Sequence, residues 1–410
     1  MTLLLKYFKF SLIFLIRDIW LYILTFPILI LIKVFNKFLK IRFGKCRIDV
    51  IGNSFFNLDS YLGEVKLSKK KYNDFFYTEG KYCNSFFLKL AQRNLKIYWF
   101  IKYFYEMSKF LPGTENLQII PEDYRAIGNG GTDPNKIISK TRDNIIFQDN
   151  EDKLGYSFLE NTGIKNNKYI CFIYRNSAYK KKSFLSSEID FSYHDYRNSE
   201  LEDYKEALNY LTDQGYYIIR MGKSEDQPIQ MNNKKIIDYS FSKKRSDFLD
   251  IWLMSKCYFC FTSGTGLDDV AIAFRKPLLH VNQIPISGIR TYYPNILCIF
   301  KKIKKNPTNE IMNLSDIIKS NSDYLLHSEN YKKKNLSILN NTSKEIVSVT
   351  KEMHLRMVNN WPESENSKKE QDLFWKNLSL SKNFSAGYRW INRGCKVGSK
   401  FLEDNKNFLN

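Results

Sequence analysis

Acidic side chains are in short supply: 43 Asp and Glu stand against 63 Lys and Arg in 410 residues, leaving a net charge of +20. A surplus of that sign fits three kinds of partner: nucleic acid, an anionic membrane surface or a phosphate-bearing ligand. The chain is also rich in Lys, Asn, Ile, Phe and Tyr, which AT-rich codons favour, so position matters more than the sum. Seven scattered cysteines form no disulfide framework. The single C-x-x-C, Cys257 to Cys260, lies in an apolar run that reads as a strand, where residues three apart face opposite ways. That argues against a shared metal or redox pair and favours buried thiols. The fingerprint G-x-G-x-x-G is missing, which argues against a dinucleotide site. No nucleic-acid-binding module accompanies the lysine runs at 69–71, 180–182 and 332–334, so a basic nucleic-acid-binding protein is the weaker reading.

What is present is a chain long enough for about two domains, 43% hydrophobic and able to bury a sizeable core. Residues 8–32 are almost continuously apolar, with no small-residue cleavage site after them. The run is long enough to cross a bilayer. Arg17 and Asp18 interrupt it and Pro27 would kink it, so lying in the interface fits at least as well. Lys33, Lys37, Lys40, Arg42, Lys45 and Arg47 follow, interleaved with apolar residues, as in a juxtamembrane segment on an anionic leaflet. This predicts a membrane-associated segment over 1–47, peripheral or single-span, with the rest of the chain on the cytoplasmic side.

Residues 48–165 read as a smaller α/β lobe and linker. "RIDVIG" (47–52) suits a strand, and 86–111 has helical spacing until Pro112-Gly113. The "GNGG" at 128–131 reads as a loop. From 166 to 305 strands alternate with helices, implying parallel βαβ units and a Rossmann-like lobe. Strands are expected at 169–174, 216–220, 235–240, 258–261 and 277–282. Helices are expected after Ser199-x-x-Glu202, a capping box, and over 246–257 and 267–274. Residues 306–410 turn polar and read as helices and loops that pack back on the lobes.

The ends of those strands carry the chemistry. Thr262, Ser263, Gly264, Thr265, Gly266, Leu267 and Asp268 join a strand to a helix, at the end of a parallel sheet where ligands bind. Glycines admit a close ligand, hydroxyls donate, and amides at a helix start favour an anion. A tight turn with no ligand, in which Asp268 and Asp269 merely open the helix, is the plain counter-reading. Arg175 and Asn176 end one strand, and Arg220, with Gly222 just beyond, ends another. A guanidinium there can clamp a diphosphate in a bidentate fashion. The long segment 177–198 holds Glu188, Asp190, His194 and Asp195 as acid–base candidates, and spacing does not choose among them.

"YICFIYRNSAY", "YRNSELEDYKEALNYLTDQGYYIIRMG", "FTSGTGLDDVAIAFRKPLLHVNQIPI" and the late "QDLFW" together resemble a bacterial family of glycosyltransferases found in surface-polysaccharide and lipopolysaccharide gene sets. The resemblance is strongest over about 165–290. It implies a GT-B type fold with two Rossmann-like lobes and a nucleotide-sugar donor held mainly by the C-terminal one. The membrane-proximal start suits a lipid-linked or surface-polysaccharide acceptor, and no nucleic-acid partner is expected. No D-x-D occurs, so no metal or other cofactor is expected. The Arg175 strand end is also similar to the H-x-R donor-phosphate motif of fucosyltransferases, with Ile173 in place of the His. The competing expectation is a membrane-anchored scaffold in polysaccharide assembly, without turnover.

Overall fold

A computed structural model of the chain describes residues 2–119, 133, 135–164, 168–176, 192–223, 227–386 and 394–409. Side chains are described from Asp18 onward, except those of Ser385 and Ala386. The chain divides into two compact units. One comprises residues 1–50 and 64–121; the other comprises 51–63 and 122–410.

The first unit is built on three parallel strands, β1 (Ile41–Lys45), β2 (Asn73–Tyr77) and β3 (Gln118–Ile119), in the order β2-β1-β3. Helix α1 (Thr2–Leu39) enters β1 directly, and α2 (Ile51–Leu67) follows β1, its residues 51–63 belonging to the second unit. The stretch 86–111 is two helices, α3 (Ser85–Asn94) and α4 (Ile101–Phe110), and not one. Leu29 of α1, Phe43 of β1, Tyr77 of β2, and Ile101 and Tyr105 of α4 form the core with Leu117. The strand expected over 47–52 is absent. The strand is the basic segment just before it, whose charges are tied down locally. Arg42 grips Asp74 with two hydrogen bonds, Lys45 pairs with Glu79, and Arg47 pairs with Asp49. Phe43 and Gly44 are buried while Ile41, Arg42 and Lys45 are half-buried, so the short strand's basic residues make its sequence look like an unstructured tether.

The second unit carries seven parallel strands. They are β4 (Tyr169–Ile173), β5 (Tyr217–Arg220), β6 (Ile236–Ile237), β7 (Cys260–Thr262), β8 (Leu278–Gln283), β9 (Ile296–Phe300) and, after the antiparallel pair β10 (Lys302–Lys305) and β11 (Leu336–Leu339), β12 (Lys396–Val397). The order is β12-β9-β8-β7-β4-β5-β6. Strands β4, β7, β8 and β9 are buried throughout, as a sheet covered on both faces requires. The α/β class with parallel sheets is therefore as expected. The region after 306 departs from the helices-and-loops expectation by adding β11, which pairs with β10 just before it, and the edge strand β12. Cys257 caps the end of the helix Asp247–Lys256 and only Cys260 lies on a strand; both are buried.

The chain runs β4, β5, β6 outward on one side, then returns to lay β7, β8 and β9 on the other. The direction reverses between β4 and β7, and a crevice opens at the carboxyl ends of strands on either side of such a reversal.

Candidate anion-binding site at the sheet's switch point

The reversal brings Arg175 and the 262–268 loop together. The Arg175 backbone N–H donates to the Ser263 hydroxyl at 2.7 Å, stitching the end of β4 to the end of β7. The Ser199 hydroxyl lies 3.3 Å from the Ser263 hydroxyl and 2.8 Å from that of Tyr204, to which the Asn282 amide also donates. Asn282 and Asn341 exchange two backbone–side-chain bonds beneath them. Ser199 thus does not cap a helix. A 3-10 turn, Leu201–Tyr204, precedes the helix Lys205–Asp213, and the serine serves the rim instead.

The loop itself is closed by its own carboxylate. Asp268 accepts from the Thr262 hydroxyl at 2.7 Å, from the Thr265 backbone N–H at 2.9 Å and from the Thr265 hydroxyl at 3.2 Å. The Gly264 N–H donates to the Thr262 hydroxyl. Several donors expected to face an anion are therefore engaged within the chain, because Asp268 is a tethered anion already in place. The two glycines have separate reasons. Gly264 has φ +90°, and a Cβ there would sit 3.0 Å from His280 Nε2 and 3.3 Å from Arg197 Nη2. Gly266 admits the start of α2, since its Cβ would lie 3.2 Å from the Gly52 nitrogen.

Around this loop gathers a set of cations that sequence reasoning largely missed. Arg197 donates to the Gly264 carbonyl at 2.9 Å. Lys301, directly after β9 and only 2% exposed, donates to the Tyr196 and Asn198 carbonyls. Arg290 ion-pairs with Asp268 and Asp269. Arg197, Ser263, Gly264, His280, Gln283 and Arg290 line one pocket. Among the described residues, Arg175, Arg197 and Lys301 form no ion pair, and the Arg175 Nε is buried with no hydrogen-bond partner. Burial, then Arg197 and Arg175, pull the Lys301 ammonium down from 10.5 to about 7. Burial, then Arg197, pull the Arg175 guanidinium down to about 9, still protonated at neutral pH. Burial also lowers Arg197, against the pull of Tyr196 and Asp268. His280 is held neutral, at about 4, by burial and by Arg290 and Arg197, with Asp268 opposing them. Arg290, matched by two carboxylates, is raised instead.

Buried like charges with no carboxylate in contact cost up to several kcal/mol each, and an entering anion would remove much of that cost. Guanidinium and ammonium groups such as those of Arg175, Arg197 and Lys301 are donors that oxygens of a phosphate or diphosphate accept.

The other expected residues fall elsewhere. Arg220 is wholly enclosed and bonded to Asp238, the Gln227 carbonyl and the Tyr174 hydroxyl, so it braces the end of β5 and presents no open cation. Asn176 donates to the Tyr174 hydroxyl. Gly222, at φ 145°, accepts from Arg245 through its carbonyl. Leu267 begins the helix Leu267–Ala273. Glu188 and Asp190 lie outside the described residues, as does "GNGG". The 3-10 segment Ser192–Arg197 holds the other two acid–base candidates. Asp195 is exposed and accepts from Asn198; the His194 ring lies against Tyr193 at 4.0 Å between centroids. Among the described residues, no His, Cys, Asp and Glu cluster could hold a metal ion. A signal for Lys301 did exist: "ILCIF" followed by lysine repeats the pattern of "YICFIY" followed by Arg175.

Neither a protein-family model nor a curated protein matches the chain. Among solved structures it is similar to a family 9 glycosyl transferase from Veillonella parvula DSM 2008, at 11% identity and TM-score 0.45, covering 77% of this chain and 98% of that one. It is similar to the E. coli ADP-heptose lps heptosyltransferase II at 10% identity and TM-score 0.40, covering 63% and 90%. It is also similar to the UDP-GlcNAc 2-epimerase of Neisseria meningitidis, at 10% identity and TM-score 0.30, covering 78% and 100%. Likenesses of this size leave function to be argued from the site. That site defines a class: an α/β protein with a parallel sheet and a cationic crevice at its switch point.

Proposed function

We propose that the chain is a glycosyltransferase that moves a sugar from a nucleotide sugar to a lipid-linked or surface-polysaccharide acceptor. The observation that carries this reading is the cluster of Arg175, Arg197 and Lys301 at the sheet's switch point, buried cations that form no ion pair among the described residues. The sequence resemblance supports it independently. In this reading the triad binds the donor's phosphate oxygens. As the bond between anomeric carbon and phosphate oxygen breaks, negative charge grows on the leaving phosphate, and fixed cations in a poorly hydrated crevice stabilise it without reorganising. Asp268 holds the loop that shapes the crevice. The base that takes the acceptor's proton comes from Glu188, Asp190, His194 and Asp195. An acceptor at the anionic, cytoplasmic leaflet suits the apolar α1 and the basic first unit.

The test supplies the full-length chain with radiolabelled nucleotide sugars and a lipid extract. Label moving into the lipid phase with release of free nucleotide is the expected result. A changed sugar still attached to its nucleotide would instead identify an epimerase. Donor binding without turnover in the presence of every acceptor fraction would favour the scaffold.

A further inference from the structure

Residues Asp18–Leu39 of α1 are long and apolar enough to cross a membrane, yet the structure docks them lengthwise. Thr25, Leu29 and Asn36 are buried, with Asp18, Tyr22 and Ile32 half-buried between them. Spacings of three and four residues put these on one stripe. The stripe is held along its length. Tyr22 meets Tyr103 of α4 edge to face at 5.0 Å, Leu29 enters the core beneath β1, Lys33 donates to the Pro112 carbonyl at 2.6 Å, and Asn36 accepts from the Ile41 N–H. Around the rest of the helix Trp20, Ile23, Leu31, Val34 and Phe38 are exposed, and no acidic residue occurs from 19 to 39.

We propose that this helix lies in the plane of the bilayer surface, as a monotopic anchor that seats the first unit on anionic lipid, and does not span the membrane. Standing upright in hydrocarbon, it would have to carry its docked partners with it. Those include Glu79 with Lys45 and Lys102, and Glu106 with Lys109, and charges at such depth are costly. Lying flat, it is about 33 Å of apolar face at 1.5 Å per residue, sunk beside headgroups. Aromatic residues of the same unit flank it. Trp99, 68% exposed, contacts Tyr103, which contacts Tyr22; Phe110, 81% exposed, ends α4 just before Pro112. Trp and Phe at both ends of the docked pair suit the headgroup level. Charge selects lipid over a second copy of this chain. The first unit has 19 Lys and Arg against 7 Asp and Glu, so two such units would repel each other, whereas anionic headgroups neutralise them.

The experiment uses the full-length chain and vesicles of phosphatidylcholine with or without phosphatidylglycerol. Spin labels go on Ile23→Cys, Leu31→Cys and Phe38→Cys, one at a time; the seven native cysteines are all buried and should not label. Similar shallow depths for all three, about 5–10 Å below the headgroups, are expected, with binding that strengthens with phosphatidylglycerol and weakens with salt. Trp99→Ala and Phe110→Ser change exposed side chains only and should each weaken vesicle binding roughly three- to tenfold, with the fold intact. A depth profile with one label at mid-bilayer would overturn the in-plane arrangement. So would absence of vesicle binding, or self-association of the lipid-free chain that buries the labels.

Discussion

Replacing Lys301 by Met tests whether the crevice is as unbalanced as its geometry says. In the folded chain the ammonium falls from 10.5 to about 7, through burial first and then Arg197 and Arg175. At 1.36 kcal/mol per unit this corresponds to a penalty on the order of 4–5 kcal/mol at neutral pH. Met also forfeits the bonds to the Tyr196 and Asn198 carbonyls, at about 1 kcal/mol each. Burial of methionine's own apolar surface changes little. With partial relaxation around the cavity, the ligand-free variant should be about 1–2 kcal/mol more stable than the parent at pH 7. The sign with pH is fixed. Between about 7 and 10.5 the unfolded chain binds the Lys301 proton and the folded chain does not, so this residue makes the parent's stability rise with pH across that window. The Met variant should lose that part of the slope. Urea unfolding at pH 7, 8 and 9 measures both. A variant less stable than the parent by several kcal/mol, with the slope unchanged, would refute the charge argument.

The same group predicts how affinity depends on pH. A phosphate ligand binds the protonated Lys301 better, so nucleotide affinity should be flat below about pH 7 and fall above it, by up to tenfold per pH unit, with the fall absent in Lys301→Met. Calorimetry across pH 6 to 9 reads it. Gly264→Ala places a Cβ against His280 and Arg197 at φ +90°, and should cost about 1–3 kcal/mol in denaturant unfolding and weaken nucleotide binding further. Asp268→Asn keeps the shape but removes the charge that Arg290 and the two threonines use; a loss of about 2–4 kcal/mol is expected, and an unchanged midpoint would count against the loop's self-closure. Arg220→Ala should destabilise by about 3–5 kcal/mol by breaking a buried ion pair with Asp238 and the bonds to the Gln227 carbonyl and the Tyr174 hydroxyl, opposite in sign to the loss of Lys301.

The sequence carried the second unit's alternation of strands and helices clearly, because a fully buried parallel strand such as "YICFI" is apolar from end to end. It also put Arg175 and the 262–268 loop at the ends of such runs, where the structure has them. It could not tell which way a strand-end side chain turns: Arg175 and Arg220 look alike in sequence, yet Arg220 is enclosed with Asp238, eighteen residues later. Arg197 and Lys301 come together with Arg175 only through the β9-β8-β7-β4 order, which no local pattern encodes. The basic strand β1 was hidden by its charges. Removing residues 1–47 as a tether would delete the central strand of the first unit's sheet.

The most direct test of the central claim is isothermal titration of the full-length chain with UDP-, GDP-, CMP-, dTDP- and ADP-sugars, beside Arg175→Ala and Arg197→Ala. The account predicts one donor class that binds the parent and loses at least tenfold in affinity in each variant, with both variants folded. Binding unchanged in both variants, or no binding of any of these donors to the folded parent, would contradict it.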